Sequence, residues 1–379
     1  MRSMLFVVVS FALTVLCWGL YGPVLHEGQH LMSTDGGFAR WRPFVCVGLA
    51  YFLIGVLAPM AWLIMRGEKG AWTMTGIVQS LFAGALGAVG ALGIILAFTF
   101  GGKPFVVMPL VFGGAPVVNS FLTIVMAKKL KEVGPLFLAG LAMVLLGAVT
   151  VLLSAPKAAA KPAPEPAPVA VAADDAATGG AGEGETAQAP PAKSDGALSA
   201  ATRFGLQLAS IATVIVCWGA YGPVLHRGQA GMQGSRLRPL VCVGLAYFAI
   251  AVVVPQMILT ATPEASTYNF FGTAWSLAAG AAGALGALGI ILAFNFGGKP
   301  VFVMPLVFGG APIVNTLAEG LAKGAFAGAS SLGMSVYMAG LMLAIAGAAM
   351  VLVFAPKGAP PKKPADKSAE TKVPATAPA

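Results

Sequence analysis

The sequence predicts an all-α integral membrane protein with ten transmembrane helices arranged as two inverted five-helix repeats. Three observations lead there. Hydrophobic residues make up 58% of the 379 and charged residues only 10%, against about 45–50% and about 25% in soluble domains. The chain is one unit written twice. Each unit carries an odd number of apolar runs long enough to cross a bilayer, which turns consecutive copies upside down relative to each other.

The composition supports the first point further. The 49 Gly and 27 Pro are too many for a water-soluble bundle. Transmembrane helices tolerate both, because neighbouring helices and waters re-satisfy freed backbone groups. The net charge of +9 is read as anchoring on the cytoplasmic side rather than as a nucleic-acid surface. Cys17, Cys46, Cys217 and Cys242 lie in or beside apolar runs without CxxC spacing. They read as small buried thiols. No metal or cofactor is expected.

The repeat is explicit. Cys17–Gln29 reads CWGLYGPVLHEGQ and Cys217–Gln229 reads CWGAYGPVLHRGQ. RPFVCVGLAYF at Arg42 returns as RPLVCVGLAYF at Arg238, and GALGIILAF occurs unchanged at Gly90 and Gly286. Gly101–Asn119 and Gly297–Asn315 agree at 16 of 19 positions. The offset is 200 in the first block and 196 afterwards, so one loop changed length. Residues 1–155 and 201–355 are therefore the two repeats. The Ala/Pro/Gly-rich stretch 156–200 and the Pro/Ala/Lys-rich stretch 356–379 cannot bury a core and read as a disordered linker and tail. Because the first apolar run recurs in mid-chain, it reads as a mature helix rather than a cleaved signal.

A crossing helix needs roughly 20 apolar residues. The first repeat offers Ser3–Leu25, Phe44–Met65, Trp72–Phe98, Pro104–Met126 and Leu136–Ser154. The second offers Phe204–Leu225, Leu240–Ala261, Phe271–Phe294, Pro300–Leu321 and Ser335–Phe354. The third run of each copy is long and Gly-rich, open to tilt or kinking. With the N-terminus inside, 15 of the 23 Lys and Arg fall on the cytoplasmic side and 8 outside. That bias places both termini in the cytoplasm and the linker outside the inner membrane.

Ten helices as five plus five, termini inside, a Trp-Gly in the first helix of each half, and a Pro-bearing fourth helix after a tight turn (GGKPFVVMPL, GGKPVFVMPL) resemble the drug/metabolite transporter superfamily, in particular the EamA-like permeases. The resemblance covers both membrane halves but not linker or tail. It implies a permease that moves a small polar metabolite. The alikeness of the halves and the long linker depart from the family's usual pattern.

Polar groups at membrane depth are costly and are candidates by default. Trp18, Tyr21, Trp218 and Tyr221 lie where Gly22-Pro23 and Gly222-Pro223 loosen a helix end. They suit either the aromatic belt or stacking on a substrate ring. His26 and His226 follow, at the interface. Lys103 and Lys299 each follow Gly-Gly and precede Pro. They suit an anionic substrate group at a helix N-terminus, or snorkelling to the surface. Gly113, Gly114 and Pro116, with Gly309, Gly310 and Pro312, are candidate helix breaks or gates. Asn119 and Asn315, three residues on, suit substrate contact or interhelical packing. Glu319 is a candidate proton-coupling carboxylate, or reaches the interface four residues before Lys323. Tyr51 and Tyr247 need partners at depth. Gly84, Gly87, Gly90 and Gly93 have the spacing of close helix packing.

No P-loop, GxSxG, HExxH or paired intramembrane carboxylates occur in the sequence, so no enzymatic activity is expected. The reading is a secondary transporter working by alternating access between the repeats. A passive channel or a non-transporting scaffold are the alternatives. The expected partners are the lipid bilayer and a small-molecule substrate, not nucleic acid, with a homodimer left open.

Overall fold

The structure is a computed structural model that describes residues 2–126, 128–154, 198–296, 300–322, 330–354 and 356. Lys299, Lys323, residues 156–197 of the linker and 357–379 of the tail lie outside the described residues. Among the described residues the chain is helical, with no strand beyond an isolated bridge between Ser33 and Ser266. The elements of the first copy are α1 (Arg2–Met32), α2 (Trp41–Phe52), α3 (Ala58–Arg66), α4 (Met74–Thr99), α5 (Pro104–Met126) and α6 (Pro135–Ser154). Those of the second are α7 (Ala200–Gly231), α8 (Leu237–Phe248), α9 (Val254–Ala261), α10 (Phe270–Asn295), α11 (Pro300–Ala322) and α12 (Ser331–Phe354). Among the described residues, 9 helical segments are long and apolar enough to cross a membrane, and Leu306–Ala322 is a shorter apolar helix. The chain is a multi-pass α-helical membrane protein.

Three local features differ from the expectations above. First, α1 and α7 do not loosen at Pro23 and Pro223 but run on to Met32 and Gly231. Proline removes the bond to the carbonyl four residues back, which belongs to Gly19 or Gly219, where another helix packs closely. A Cβ on Gly19 would meet Val314 and the Ala311 carbonyl, and one on Gly219 would meet Val118 and the Ala115 carbonyl. Packing against neighbours holds the helix through the missing bond. Second, α4 and α10 are continuous. Third, the irregularity lies in the second run of each copy, as π-helical turns at Leu53–Leu57 and Ala249–Val253. Each precedes a proline, Pro59 or Pro255, that has no N–H for the regular ladder, and the wider turn absorbs the gap.

The two copies interleave. α1 packs along α10 and α11, and α2 along α10; in exchange, α7 packs along α4 and α5, and α8 along α4. Two mixed bundles result: α1, α2, α10 and α11 in one, α4, α5, α7 and α8 in the other. They meet through α2 against α8 and α5 against α11, while α6 and α12 pair on the flank. Small residues permit the close approaches. Gly84 faces Val243 and Ala246, and Gly93 faces Val214, as the small-residue spacing predicts.

Both ends of the assembly carry the same clasp, each spanning the copies. At the end where α1 finishes and α10 begins, Asn269 Nδ2 donates to the Leu31 carbonyl at 2.6 Å. There Glu264 accepts from the N–H groups of Arg40 (2.8 Å) and Trp41 (3.2 Å), capping α2. At the end where α7 finishes and α4 begins, Glu68 accepts from the N–H groups of Arg236 (3.1 Å) and Leu237 (3.2 Å), capping α8. Carboxylates at a helix N-terminus satisfy orphan donors and oppose the positive end of the helix dipole. The Glu264 side chain is only 7% exposed and ion-paired with Arg40 at 3.3 Å. Glu264→Ala leaves those donors unmet and is expected to destabilise by about 2 kcal/mol. Glu264→Gln should retain more than half of that, because it keeps one acceptor. Thermal unfolding in detergent checks the order.

Candidate functional site

A cavity of about 410 Å³ lies between the two mixed bundles. Its walls come from α1 (Trp18, Tyr21), α2 (Tyr51), α4 (Gly87), α5 (Phe112, Asn119), α7 (Trp218, Tyr221, Gly222, Leu225, His226, Gln229), α8 (Tyr247), α10 (Gly283, Ala287, Ile290, Ile291) and α11 (Phe308). Matched residues of the two copies meet each other across it. The Tyr51 and Tyr247 rings stack with centroids 3.8 Å apart and planes 3° apart. Phe112 and Phe308 face each other at 6.4 Å.

The indoles are locked. Trp18 Nε1 donates to the Gly283 carbonyl at 3.3 Å, and Trp218 Nε1 to the Gly87 carbonyl at 3.2 Å. Each packs on the helix surface over a glycine: Trp218 on Gly90, Trp18 on Gly286. They are therefore wall elements between helices, not members of an aromatic belt. Tyr51 and Tyr247 lie against Gly283 and Gly87 in the same way. Thus the glycines of α4 and α10 are a shelf for aromatic rings supplied by the other copy.

The cavity is unequal at its two ends. Towards the α7/α4 end, His226 is exposed and Leu225 and Gln229 are half-buried. Towards the α1/α10 end the matched residues are closed off. Leu25 and Gln29 are 0% exposed, and Tyr21 is 4% exposed. Gln29 Nε2 donates to the carbonyls of Ala39 (2.9 Å) and Ile95 (3.2 Å), whereas Gln229 and Ile291 border the cavity. His26 packs edge-on to Phe98 at 5.2 Å and against Phe38 at 4.8 Å. The asparagines divide likewise. Asn119 lines the cavity, while Asn315 is 0% exposed and donates to the Pro104 carbonyl at 3.0 Å.

Of the residues singled out from sequence, the cavity gathers Trp18, Tyr21, Tyr51, Gly87, Asn119, Trp218, Tyr221, Gly222, His226 and Tyr247. The others lie elsewhere. Lys103 is exposed in the α4–α5 turn at the closed end, where its carbonyl receives the first N–H groups of α5. Gly101 supplies the positive φ of that turn. Gly113, Gly114 and Pro116 sit within an unbroken α5, as Gly309, Gly310 and Pro312 sit within α11. A Cβ on Gly114 would meet Ile215 and one on Gly310 would meet Val15, so these positions let α7 and α1 approach. Gly114 and Gly310 serve this packing, and neither Pro116 nor Pro312 breaks its helix. Glu319 does not reach the surface. It is 3% exposed, one turn past Asn315 and Thr316, and Thr316 shares a hydrogen bond of 3.2 Å with Tyr337.

Sequence reasoning missed Phe112, Phe308, Gln229 and the Tyr51–Tyr247 stack as wall residues. The available signal was the repeat itself: each of these positions has its counterpart in the other copy, at an offset of 200 for Gln229 and 196 for the others. A scan of the chain against protein-family models finds no match, and a comparison with curated proteins finds none.

Proposed function

We propose that the protein is a secondary membrane transporter, an EamA-like permease of the drug/metabolite transporter superfamily, that moves a small polar metabolite by alternating access. In this reading ten helices form two inverted repeats, with both termini in the cytoplasm and the linker outside. The observation that carries it is the inequality of the cavity. Matched residues of two near-identical copies stand in opposite states, Leu25 and Gln29 sealed, Leu225 and Gln229 open. Two copies with one set of contacts available to each can exchange those states, which opens the other end. The moving bodies are then the mixed bundles rather than the sequence repeats, because the cavity lies between those bundles. The open end carries Arg66, Lys69, Lys128, Lys129, Lys131, Arg227, Arg236 and Arg238. By the positive-inside rule it is cytoplasmic.

The test uses protein in which Cys17, Cys46, Cys217 and Cys242 are replaced by serine, with a single cysteine at Leu25 or Leu225, reconstituted in vesicles. Leu225→Cys is expected to react rapidly with an impermeant maleimide from the cytoplasmic side. Leu25→Cys should react slowly, and only from the opposite side. Counterflow of a metabolite panel in the same vesicles should show trans-acceleration. A Leu25→Cys protein that never reacts, together with flux lacking trans-acceleration, would sink the proposal.

A further inference from the structure

We infer that the cavity takes an uncharged, ring-bearing solute with hydrogen-bonding substituents, an assignment that rests on the transporter reading above. Three observations point to this class. Among the described residues, no Asp, Glu, Lys or Arg lines the cavity. An ion held there would lose its hydration without gaining a counter-charge. Phe, Tyr and Trp supply 8 of the 18 wall residues, and the indole N–H groups of Trp18 and Trp218 are already used on backbone carbonyls. They offer flat surface and no donor. Finally, the hydroxyl of Tyr21 is buried in the wall without a hydrogen-bond partner. A buried hydroxyl left unmet is costly, and a ligand hydroxyl or carbonyl meets that need. The half-buried amide of Asn119 adds a second polar contact.

The two charged classes fit less well. Aromatic cages attract cations, yet this one holds no carboxylate among its described wall residues and opens at the strongly basic end of the protein. For anions, Lys103 was the sequence candidate, and it is exposed at the closed end, outside the wall.

Three matched probes separate the classes: phenyl β-D-glucopyranoside, the glucuronide with a carboxylate at C6, and the 6-amino-6-deoxy glycoside with an ammonium there. Each is titrated into the full-length protein in nanodiscs, with tryptophan fluorescence as readout. The neutral glycoside is expected to quench saturably, and the charged pair to bind at least about tenfold more weakly. Tyr21→Phe keeps the ring and removes the hydroxyl. It should weaken the neutral probe by roughly five- to tenfold, the worth of one hydrogen bond, with little change in melting temperature. Asn119→Ala is the second variant and should also weaken binding. Equal or tighter binding of a charged probe overturns the inference, as does absence of binding by the neutral one. The cysteine-exchange measurement needs no ligand. Exchange without neutral binding therefore defeats only the substrate class, and neutral binding without exchange defeats only the transporter reading.

Discussion

Gly90→Ala and Gly286→Ala are each expected to destabilise the protein by about 3 kcal/mol. Helix propensity alone predicts the opposite, since alanine is the better helix former by about 1 kcal/mol. The sign turns on what lies over these glycines. A Cβ at Gly90 would fall on Cδ1 and Nε1 of Trp218, and one at Gly286 on the same atoms of Trp18. The added methyl must push an indole off its shelf, and the indole then loses its bond to the Gly87 or Gly283 carbonyl. Gly205 supplies the control. It lies in α7 with nothing within 4 Å of its would-be Cβ, so Gly205→Ala should stabilise by about 0.5–1 kcal/mol. Thermal unfolding of the three variants in one detergent decides the matter, with opposite signs expected. Because both indoles are cavity wall, the two shelf variants should also lose transport, while Gly205→Ala should keep it. Equal melting shifts for Gly90→Ala and Gly205→Ala would show that the indole is not seated there.

The shelf shows which parts of the fold were legible in the sequence. Apolar runs gave the helical segments, because hydropathy over about 20 residues is a local property. The spacing of Gly84, Gly87, Gly90 and Gly93 announced close packing for the same reason. What those glycines pack against was not local. Trp218 and Tyr247 come from the other copy, and nothing in the periodicity of α4 says which helix will lie on it. Glu68 and Glu264 escaped notice for that reason too, since each caps a helix of the opposite copy. Pro23 misled in the other direction. Its local signal ends a helix, but α11 packed on Gly19 carries α1 past it. Lys103, whose Gly-Gly-Lys-Pro setting suggests an anion site, serves the turn into α5, and Pro116, a candidate break, sits inside an uninterrupted helix. The aromatic candidates lie where Gly22-Pro23 and Gly222-Pro223 suggest a loosened helix end, and they reach the cavity although neither helix loosens there.

Recurrence fails in one loop, and the second large effect is expected there. Phe38→Ala combined with Gln29→Ala should make a cysteine at Leu25 about five- to thirtyfold more reactive from the α1/α10 end. The offset between copies falls from 200 to 196 between Gln29 and Arg42, so the first copy has four more residues in this loop. They form a lid. Asp35 Oδ1 accepts from Ser33 Oγ at 2.6 Å and from the Gly37 N–H at 2.9 Å. The Ser33 hydroxyl is the larger cause holding that carboxyl below its usual range. The turn is therefore intact above that range and loosens only as pH falls through it, so the lid does not switch near neutrality. The chain then returns to α1: Ala39 N–H donates to the Gln29 carbonyl at 3.0 Å, Gln29 Nε2 donates back to Ala39, and Phe38 covers His26. In the second copy the place of Phe38 is taken by Gly234, and His226 is exposed. Two near-identical copies are thus given unequal closures, and a ligand-free equilibrium follows the difference. Truncating the half-buried Phe38 ring and the Gln29 amide removes about 1–2 kcal/mol from the closed state, and each 1.4 kcal/mol is tenfold in population. Gln229→Ala at the open end removes nothing from that seal and should leave Leu25→Cys protected. If the double variant also stays protected, the seal lies deeper, in the layer where Met108 and Asn315 press on Gly22. Asn315→Ala would then be the variant that opens it.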